Sequence, residues 1–417
     1  MVSMESAALS EGLPPTSTKN KGLRNIVVAD TKVSSIDTKN RRILYRGYDI
    51  LDLVNHSTFE ETAYLLLYDK LPNSGELDDF TQSLIESRTL PESVINSMRS
   101  RSTQASPMDV LQSAISELPD YDLDDMLQDH EEEASIRRAI SIIAKFPTII
   151  AVWDRIRKSQ VILEPIKGGS HSANFLYMLQ GEEPSKQVER IFDICLILHA
   201  EHSFNASTFA SRVIASTRAH MYACINGAVG ALSGELHGGA NIQVMEMLLE
   251  IAEPYNAKKW VYDTLERGGK IMGMGHAVYR ATDPRADVLS RLSKKIAEER
   301  NTKWYGITEQ VEQATKRYMK EKKKAAVYPN VDLYTASLYY SMEIPIDLNT
   351  PIFAMARAAG WSAHIIEEKL SQAAKSVLYR PKADYMGKKC GPMGCEYVPI
   401  KNRNQDFKPC PSYEWKR

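Results

Sequence analysis

Two histidines and one aspartate, each beside glycine or proline at a predicted helix start, mark where this chain could do chemistry. They sit in Ser233-Gly-Glu-Leu-His-Gly-Gly-Ala-Asn241, Gly273-Met-Gly-His-Ala-Val-Tyr-Arg-Ala-Thr-Asp-Pro-Arg285 and Tyr328-Pro-Asn-Val-Asp332. Glycine lets a backbone approach a small ligand closely, and a helix start favours negative charge nearby. A carboxylate base with two imidazoles is what carbon-acid chemistry asks for. The base takes a proton from carbon while a neutral imidazole donates to the oxygen that gains charge.

The elements that must position these groups follow from the same segments. Asn241 to Ala252 reads as an amphipathic helix, so His237 sits near a helix N-terminus, where the dipole lowers its pKa. Asp283 is a predicted N-cap with Pro284 at the first helical position, which puts Arg285 in the first turn, suited to a carboxylate ligand. Asn330 caps a helix running through Met342, whose first turn should hold Asp332 ionised. Each segment alone also fits a plain turn or cap, and the glycines at 268, 269, 273 and 275 are weak evidence for a nucleotide. A further helix, opened by Thr350-Pro351 and running through Leu370, carries Arg357, Gly360, Trp361 and His364 on one side. An arginine amid Phe353, Ala356, Ala359 and Trp361 needs an anion if buried. Arg380-Pro381-Lys382-Ala383-Asp384-Tyr385 reads as a basic loop after that helix.

Around the site the pattern is mostly helical. A short β section comes first, with strands at Ile26–Ala29 and Val33–Ile36, a turn at Asp37–Asn40 and a returning strand at Arg42–Tyr45. Helical spacing then recurs in Phe59–Tyr68, Leu77–Glu86, Met108–Leu118, Glu131–Lys158, Val188–Ala200 and Ser207–Leu232. Leu163–Ser172 and Asn256–Trp260 read as loops. Without alternating strand and helix, an all-α domain fits better than a doubly wound sheet. Gly227 and Gly230 late in a helix imply close packing. The run Lys316–Lys324, with six Lys or Arg and one Glu, reads as a solvated helix face.

Composition sets mild limits. With 417 residues the chain divides into two or three units, and 52 Lys plus Arg against 53 Asp plus Glu give a net charge of −1, no global pull toward nucleic acid or membrane. No apolar run reaches membrane-span length, residues 1–22 read as a flexible tail, and five cysteines are too few for a secreted disulfide framework, so a cytoplasmic location is expected. Cys390, Cys395 and Cys410 make a poor zinc signature and read as part of a flexible tail; no metal site is expected.

Taken together, Leu-His-Gly-Gly-Ala-Asn from 236, Met-Gly-Met-Gly-His-Ala-Val-Tyr-Arg from 272, Asp-Pro-Arg from 283, Pro-Asn-Val-Asp from 329, Gly-Trp-Ser-Ala-His-Ile-Ile-Glu from 360 and Arg-Pro-Lys-Ala-Asp-Tyr from 380 resemble the motifs of citrate synthases. Leu198-His-Ala-Glu-His-Ser-Phe-Asn-Ala-Ser-Thr208 and Leu44-Tyr-Arg-Gly-Tyr-Asp-Ile50 resemble the same family, in order from about Leu23 to Ile400. Glu235, where the family often has Pro, and Met274, where Phe is frequent, are departures. Glu235 is expected to point to solvent.

The resemblance implies an almost wholly helical homodimer. Its large domain would be 23–236 with 338–400, its small domain 237–337, and its C-terminal tail 401–417. It implies condensation of acetyl-CoA with oxaloacetate and hydrolysis of the thioester to citrate and CoA, the entry step of the tricarboxylic acid cycle, with acetyl-CoA as substrate and no cofactor. Asp332 would be the base, His237 the donor to the enol oxygen and His276 the group polarising the ketone. His202, Arg285, Arg357 and Arg380 would hold the carboxylates, Arg380 coming from the partner subunit. Lys270, Met272, Gly273, Met274 and Gly275 would cradle CoA. The alternatives are a 2-methylcitrate synthase using propionyl-CoA, against which Leu236 leans mildly, and a silent CoA-binding protein on the same scaffold.

Overall fold

The computed structural model describes residues 21–23, 26–122, 131–275, 283–370, 378–383, 385 and 397–404. His276, the N-terminal tail up to residue 20 and Cys390, Cys395 and Cys410 lie outside the described residues. The chain divides into two compact units, Met1–Ser376 and Val377–Arg417.

The first unit opens on a small antiparallel sheet, β1 (Ser34–Asp37), β2 (Arg42–Tyr45) and β3 (Tyr48–Asp49), with Ser34 opposite Tyr45 and Tyr45 opposite Tyr48. Asp37 accepts hydrogen bonds from the Lys39 and Asn40 N–H groups and so closes the predicted turn. Ile26–Ala29 is no strand: it has no ladder partner, and Val27 is exposed.

Helices follow: α1 (Ile50–His56), α2 (Phe59–Tyr68), α3 (Ser74–Glu86), α4 (Glu92–Arg99), α5 (Pro107–Glu117), α6 (Glu132–Arg157), α7 (His171–Gln180), α8 (Lys186–His199), α9 (Ala206–Ala215) and α10 (Met221–Leu232). Then come α11 (Ala240–Ile251), α12 (Pro254–Glu266), α13 (Pro284–Glu299), α14 (Trp304–Tyr318), α15 (Val331–Ser341) and α16 (Asn349–Leu370). The class is all-α. Among the described residues no helix is long and apolar enough to cross a membrane.

Two further sequence expectations fail, for local reasons. The single helix expected over Ser207–Leu232 breaks into α9 and α10, because Arg218 turns left-handed at φ 65° and the His220 side chain caps α10 by accepting from Ala223 N–H. The glycines serve close packing: a Cβ on Gly227 would overlap Ile214 Cδ1 of α9, and one on Gly230 would lie 2.6 Å from Gln112 Nε2 of α5. The loop expected at Asn256–Trp260 is instead within α12, started by Pro254 at the first turn and anchored by buried Ala257 and Val261. The lysine run ends α14 and passes into a π turn at Met319–Lys323 with no buried residue, as a solvated surface should.

The core is organised by α16, which is buried on nearly every side and packs against α2, α6, α8, α9 and α10. A helix with no solvent face must satisfy its polar side chains internally. Arg357, His364 and Glu368 are all at most 3% exposed, so their partners define the polar interior. Downstream, α11 to α15 pack mainly on one another.

Candidate active site

A cavity of about 710 Å³ opens where α16, α15, α11, α13 and the segment joining α8 to α9 converge. It is lined by His202, His237, Arg285, Asp332 and Arg357 together with Gly275, Asn241, Asn349 and Phe353. Residues from five sequence-distant segments thus meet in one place. Lys270, Met272, Gly273 and Met274 do not line it: Lys270 is exposed, and Met272 and Met274 pack against the core. Arg380 belongs to the second unit, where its side chain is exposed.

His237 lies between α10 and α11, its main chain tied by His237 N–H to Gly234 O at 2.9 Å. Burial, with the Arg357 charge adding, lowers its pKa to about 4, so it is neutral at pH 7. The neutral imidazole expected from the sequence is therefore present, but burial is the main cause. Glu235 is exposed, as expected. Ser207 N–H, which can only donate, points at Nε2 at 3.3 Å, and Ser207 Oγ stands 2.9 Å away. Nε2 must then offer its lone pair, and the ring proton is assigned to Nδ1. Ser207 Oγ accepts from Trp361 Nε1 at 3.2 Å, and its single proton serves either Nε2 or Asn205 Oδ1, 2.7 Å away. Asn205 also caps α9 by accepting from Thr208 N–H.

Asp332 occupies the second position of α15, where Asn330 caps the helix by accepting from Asp332 N–H at 2.9 Å. The sequence reading had the helix start holding this carboxylate ionised. Burial wins instead, raising its pKa to about 6; Asp283 adds to the rise, and Arg285 and an Asn241 hydrogen bond only partly oppose it. A base with a pKa near the working pH is a stronger proton acceptor while still mostly ionised at pH 7. Asn241 is itself oriented: its Oδ1 accepts from Asn349 Nδ2 at 2.7 Å, which turns its amide nitrogen to the carboxylate.

The two arginines differ. Asp283 caps α13 as predicted, yet it also takes the Arg285 guanidinium, with Nη2 to Oδ2 at 2.7 Å and Nε to Oδ1 at 3.1 Å. Arg285 thus reaches the cavity already paired with Asp283, a pairing the sequence reading did not include. Arg357 is 1% exposed, donates from Nε to His199 O at 2.7 Å and lies over the Phe353 ring at 4.7 Å. No carboxylate among the described residues comes within 4.0 Å of it. Burial draws its pKa down to about 10, against the pull of Glu201, so it stays cationic at pH 7. A buried cation with a backbone carbonyl and a ring for company is a seat for an anion.

Two further contacts fix the cavity wall. Gly275 N–H donates to Tyr328 O at 2.8 Å, and Asn330 N–H to Gly273 O at 2.9 Å, so the glycine segment is zipped to the approach to Asp332. Gly273 is at φ 77°, and a Cβ there would lie 2.9 Å from Leu333 Cα, so no other residue fits. Within α16, Gly360 N–H donates to Ala200 O at 3.2 Å, and a Cβ at 360 would overlap Ala200 O and Glu201 Oε2. Gly360→Ala is expected to destabilise the protein by about 1–3 kcal/mol by overpacking, read as a lower denaturant midpoint at unchanged m-value. An unchanged midpoint would contradict this close approach.

The family model described as "Citrate synthase, C-terminal domain" matches residues 22–382, most of the chain. The chain belongs to the citrate synthase family. It is 41% identical to citrate synthase of Haloferax volcanii, over 92% of this chain and 98% of that one, and 43% identical to citrate synthase 2 of Bacillus subtilis, over 93% and 100%. A 2-methylcitrate synthase of Shewanella oneidensis is 37% identical over 92% and 97%. The crystal structure of the Thermotoga maritima citrate synthase superposes with a TM-score of 0.79 at 36% identity, covering 92% of this chain and 99% of that one. A Thermoplasma acidophilum citrate synthase, solved as a ternary complex with carboxymethyl coenzyme A and oxaloacetate, superposes with a TM-score of 0.83 at 28% identity, over 92% and 99%. Membership makes the chain an acyltransferase of the condensing type, and citrate synthase is better supported than 2-methylcitrate synthase. Within this citrate synthase fold Ser207 and Asn241 lie in the quoted motifs but were given no role, and Asn349 was not singled out. Only Asn205 carried a local signal, a capping residue before a helical run. The contact between Ser207 and His237 spans thirty positions and leaves no trace in spacing.

Proposed function

We propose that this cavity condenses acetyl-CoA with oxaloacetate and hydrolyses the resulting thioester to citrate and CoA. The observation that carries the reading is the meeting of an elevated carboxylate, Asp332, and a neutral imidazole, His237, in one cavity with two buried guanidinium groups. Asp332 takes a proton from the acetyl methyl group while His237 Nδ1–H donates to the thioester oxygen. The enol carbon then attacks the ketone carbon of oxaloacetate, whose oxygen is protonated with help from His276. Water cleaves the citryl thioester and CoA leaves. His202, Arg285 and Arg357 hold the carboxylates, joined by Arg380 from the partner of a homodimer. Histidines and arginines supply the electrophilic assistance, so the scheme calls on no cofactor or metal.

The CoA chain runs along the 270–275 segment, which only Gly275 extends into the cavity wall. Residues 237–337 close on the remainder as a small domain, shutting out water. A cytoplasmic place at the entry of the tricarboxylic acid cycle follows from this reading. It is tested by CoA release with oxaloacetate and either acetyl-CoA or propionyl-CoA: kcat/KM is expected to favour acetyl-CoA. Preference for propionyl-CoA makes the protein a 2-methylcitrate synthase, and no release with either makes it a silent CoA binder.

A further inference from the structure

Buried behind the cavity is a chain of charged groups that the proposed chemistry does not touch. Arg212, 2% exposed, is held by Glu367 at 2.7 Å and Glu368 at 2.6 Å. Its Nη1 donates to His364 Nδ1 at 3.1 Å. A guanidinium can only donate, so Nδ1 carries no proton and Nε2 must carry one. That Nε2–H donates to Glu201 Oε1 at 3.0 Å, and both side chains are wholly buried.

Glu201 is held very unevenly. Oε1 accepts from His364, from Ser34 Oγ at 2.8 Å and from Ser203 N–H, whereas Oε2 is buried with no hydrogen-bond partner. Oε2 lies against Gly360, one helical turn along α16 from Arg357. A carboxylate oxygen without a donor and a guanidinium without a carboxylate are thus neighbours that do not pair. In a buried setting a direct ion pair is strong, and an incoming substrate anion would have to break it.

We propose that His364 is a positioning residue that tethers Glu201, keeping its charge near Arg357 while preventing the direct ion pair that would occupy the anion seat. The donors on Oε1 hold the carboxylate short of Arg357, which stays cationic without a direct carboxylate partner among the described residues. Arg212 fixes the tautomer of His364 on which the tether depends. The same Ser203 N–H contact fixes the backbone next to His202, so the tether also holds one wall of the cavity. The proposal rests on reading Arg357 as a holder of the oxaloacetate carboxylate.

A matched pair of variants tests it. His364→Asn keeps an acceptor for Arg212 but reaches no further, whereas His364→Gln places an amide N–H near the position of Nε2. His364→Asn is expected to raise KM for oxaloacetate about 10- to 100-fold with kcat within about threefold, and His364→Gln to stay within about threefold of wild type on both. Adding Glu201→Gln to His364→Asn is expected to restore KM, since the released side chain can no longer form an ion pair. A merely structural histidine predicts that the second substitution does further harm. Equal KM values in the Asn and Gln variants, or no rescue by Glu201→Gln, overturns the tether. If His364→Asn does not fold, Glu201→Gln alone decides: KM within about threefold of wild type supports the tether, and a tenfold rise sinks it. Calorimetric binding of oxaloacetate to the wild type separates the two layers. A wild type that neither binds nor turns over oxaloacetate sinks the functional reading, and one that does both while His364→Asn leaves KM unmoved sinks the tether alone.

Discussion

Asp332→Ala is expected to lower kcat/KM with acetyl-CoA and oxaloacetate by about 10²–10⁴, the usual worth of a positioned general base. The loss should fall on kcat, because the base acts in the transition state and not in binding. In the wild type, kcat/KM should fall tenfold per pH unit below about 6, where this carboxyl takes up its proton. An acid limb at the ordinary carboxyl pKa of 3.8 would show that burial does not control the group.

The same burial makes a prediction about stability, with opposite sign to the activity. An unfolded chain ionises this carboxyl near 3.8 and the folded one near 6, so the fold holds a proton that the unfolded state has lost between those values. Stability therefore falls as pH rises through that window, and the full penalty remains above 6. Asp332→Asn removes the charge and keeps an acceptor for Asn241, so it should be more stable than wild type at pH 7 by about 1–3 kcal/mol, a shift of roughly two units at 1.36 kcal/mol each being the upper range. The gap in Tm should narrow toward pH 4.5. An inactive variant no more stable than wild type at pH 7 would refute the assignment of burial as the cause.

Why the sequence spoke clearly about some of this and not the rest is a matter of range. Caps and first turns are local, so Asp283 before Pro284 and Asn330 before Asp332 were legible as helix starts, and both cap their helices. Arg357 was legible as a cation set among Phe353, Ala356 and Trp361, and it is buried over the Phe353 ring with no carboxylate of the described residues in ion-pair reach. The pairing of Arg285 with Asp283 went unseen because a cap and a counter-ion use the same carboxylate, and spacing cannot tell which arm the guanidinium takes. The break between α9 and α10 was hidden because a non-glycine residue, Arg218, adopts the left-handed turn. The pKa of Asp332 was read in the wrong direction. A helix start argues one way and burial the other, and only the surrounding side chains decide the size of each.

The His237 tautomer carries the other large expectation. Ser207 N–H is a main-chain donor, so the state of Nε2 does not depend on the serine side chain. Ser207→Ala should therefore keep the proton on Nδ1 and lose only orientation, about tenfold in kcat, one hydrogen bond's worth. His237→Ala removes the donor to the forming enol and should lower kcat by about 10²–10³, as loss of an oxyanion-hole donor does. Asparagine and glutamine discriminate between the ring nitrogens, since an Asn amide nitrogen overlays Nδ1 and a Gln amide nitrogen overlays Nε2. With Nδ1–H as the donor, His237→Asn should recover part of the lost kcat while His237→Gln recovers none. The reverse order would place the proton on Nε2 and require Ser207 N–H to point elsewhere. Because burial holds the imidazole pKa at about 4, none of these variants should shift the acid limb set by Asp332. A limb that moves with substitutions at 237 would mean that the histidine, and not the aspartate, is the titrating group.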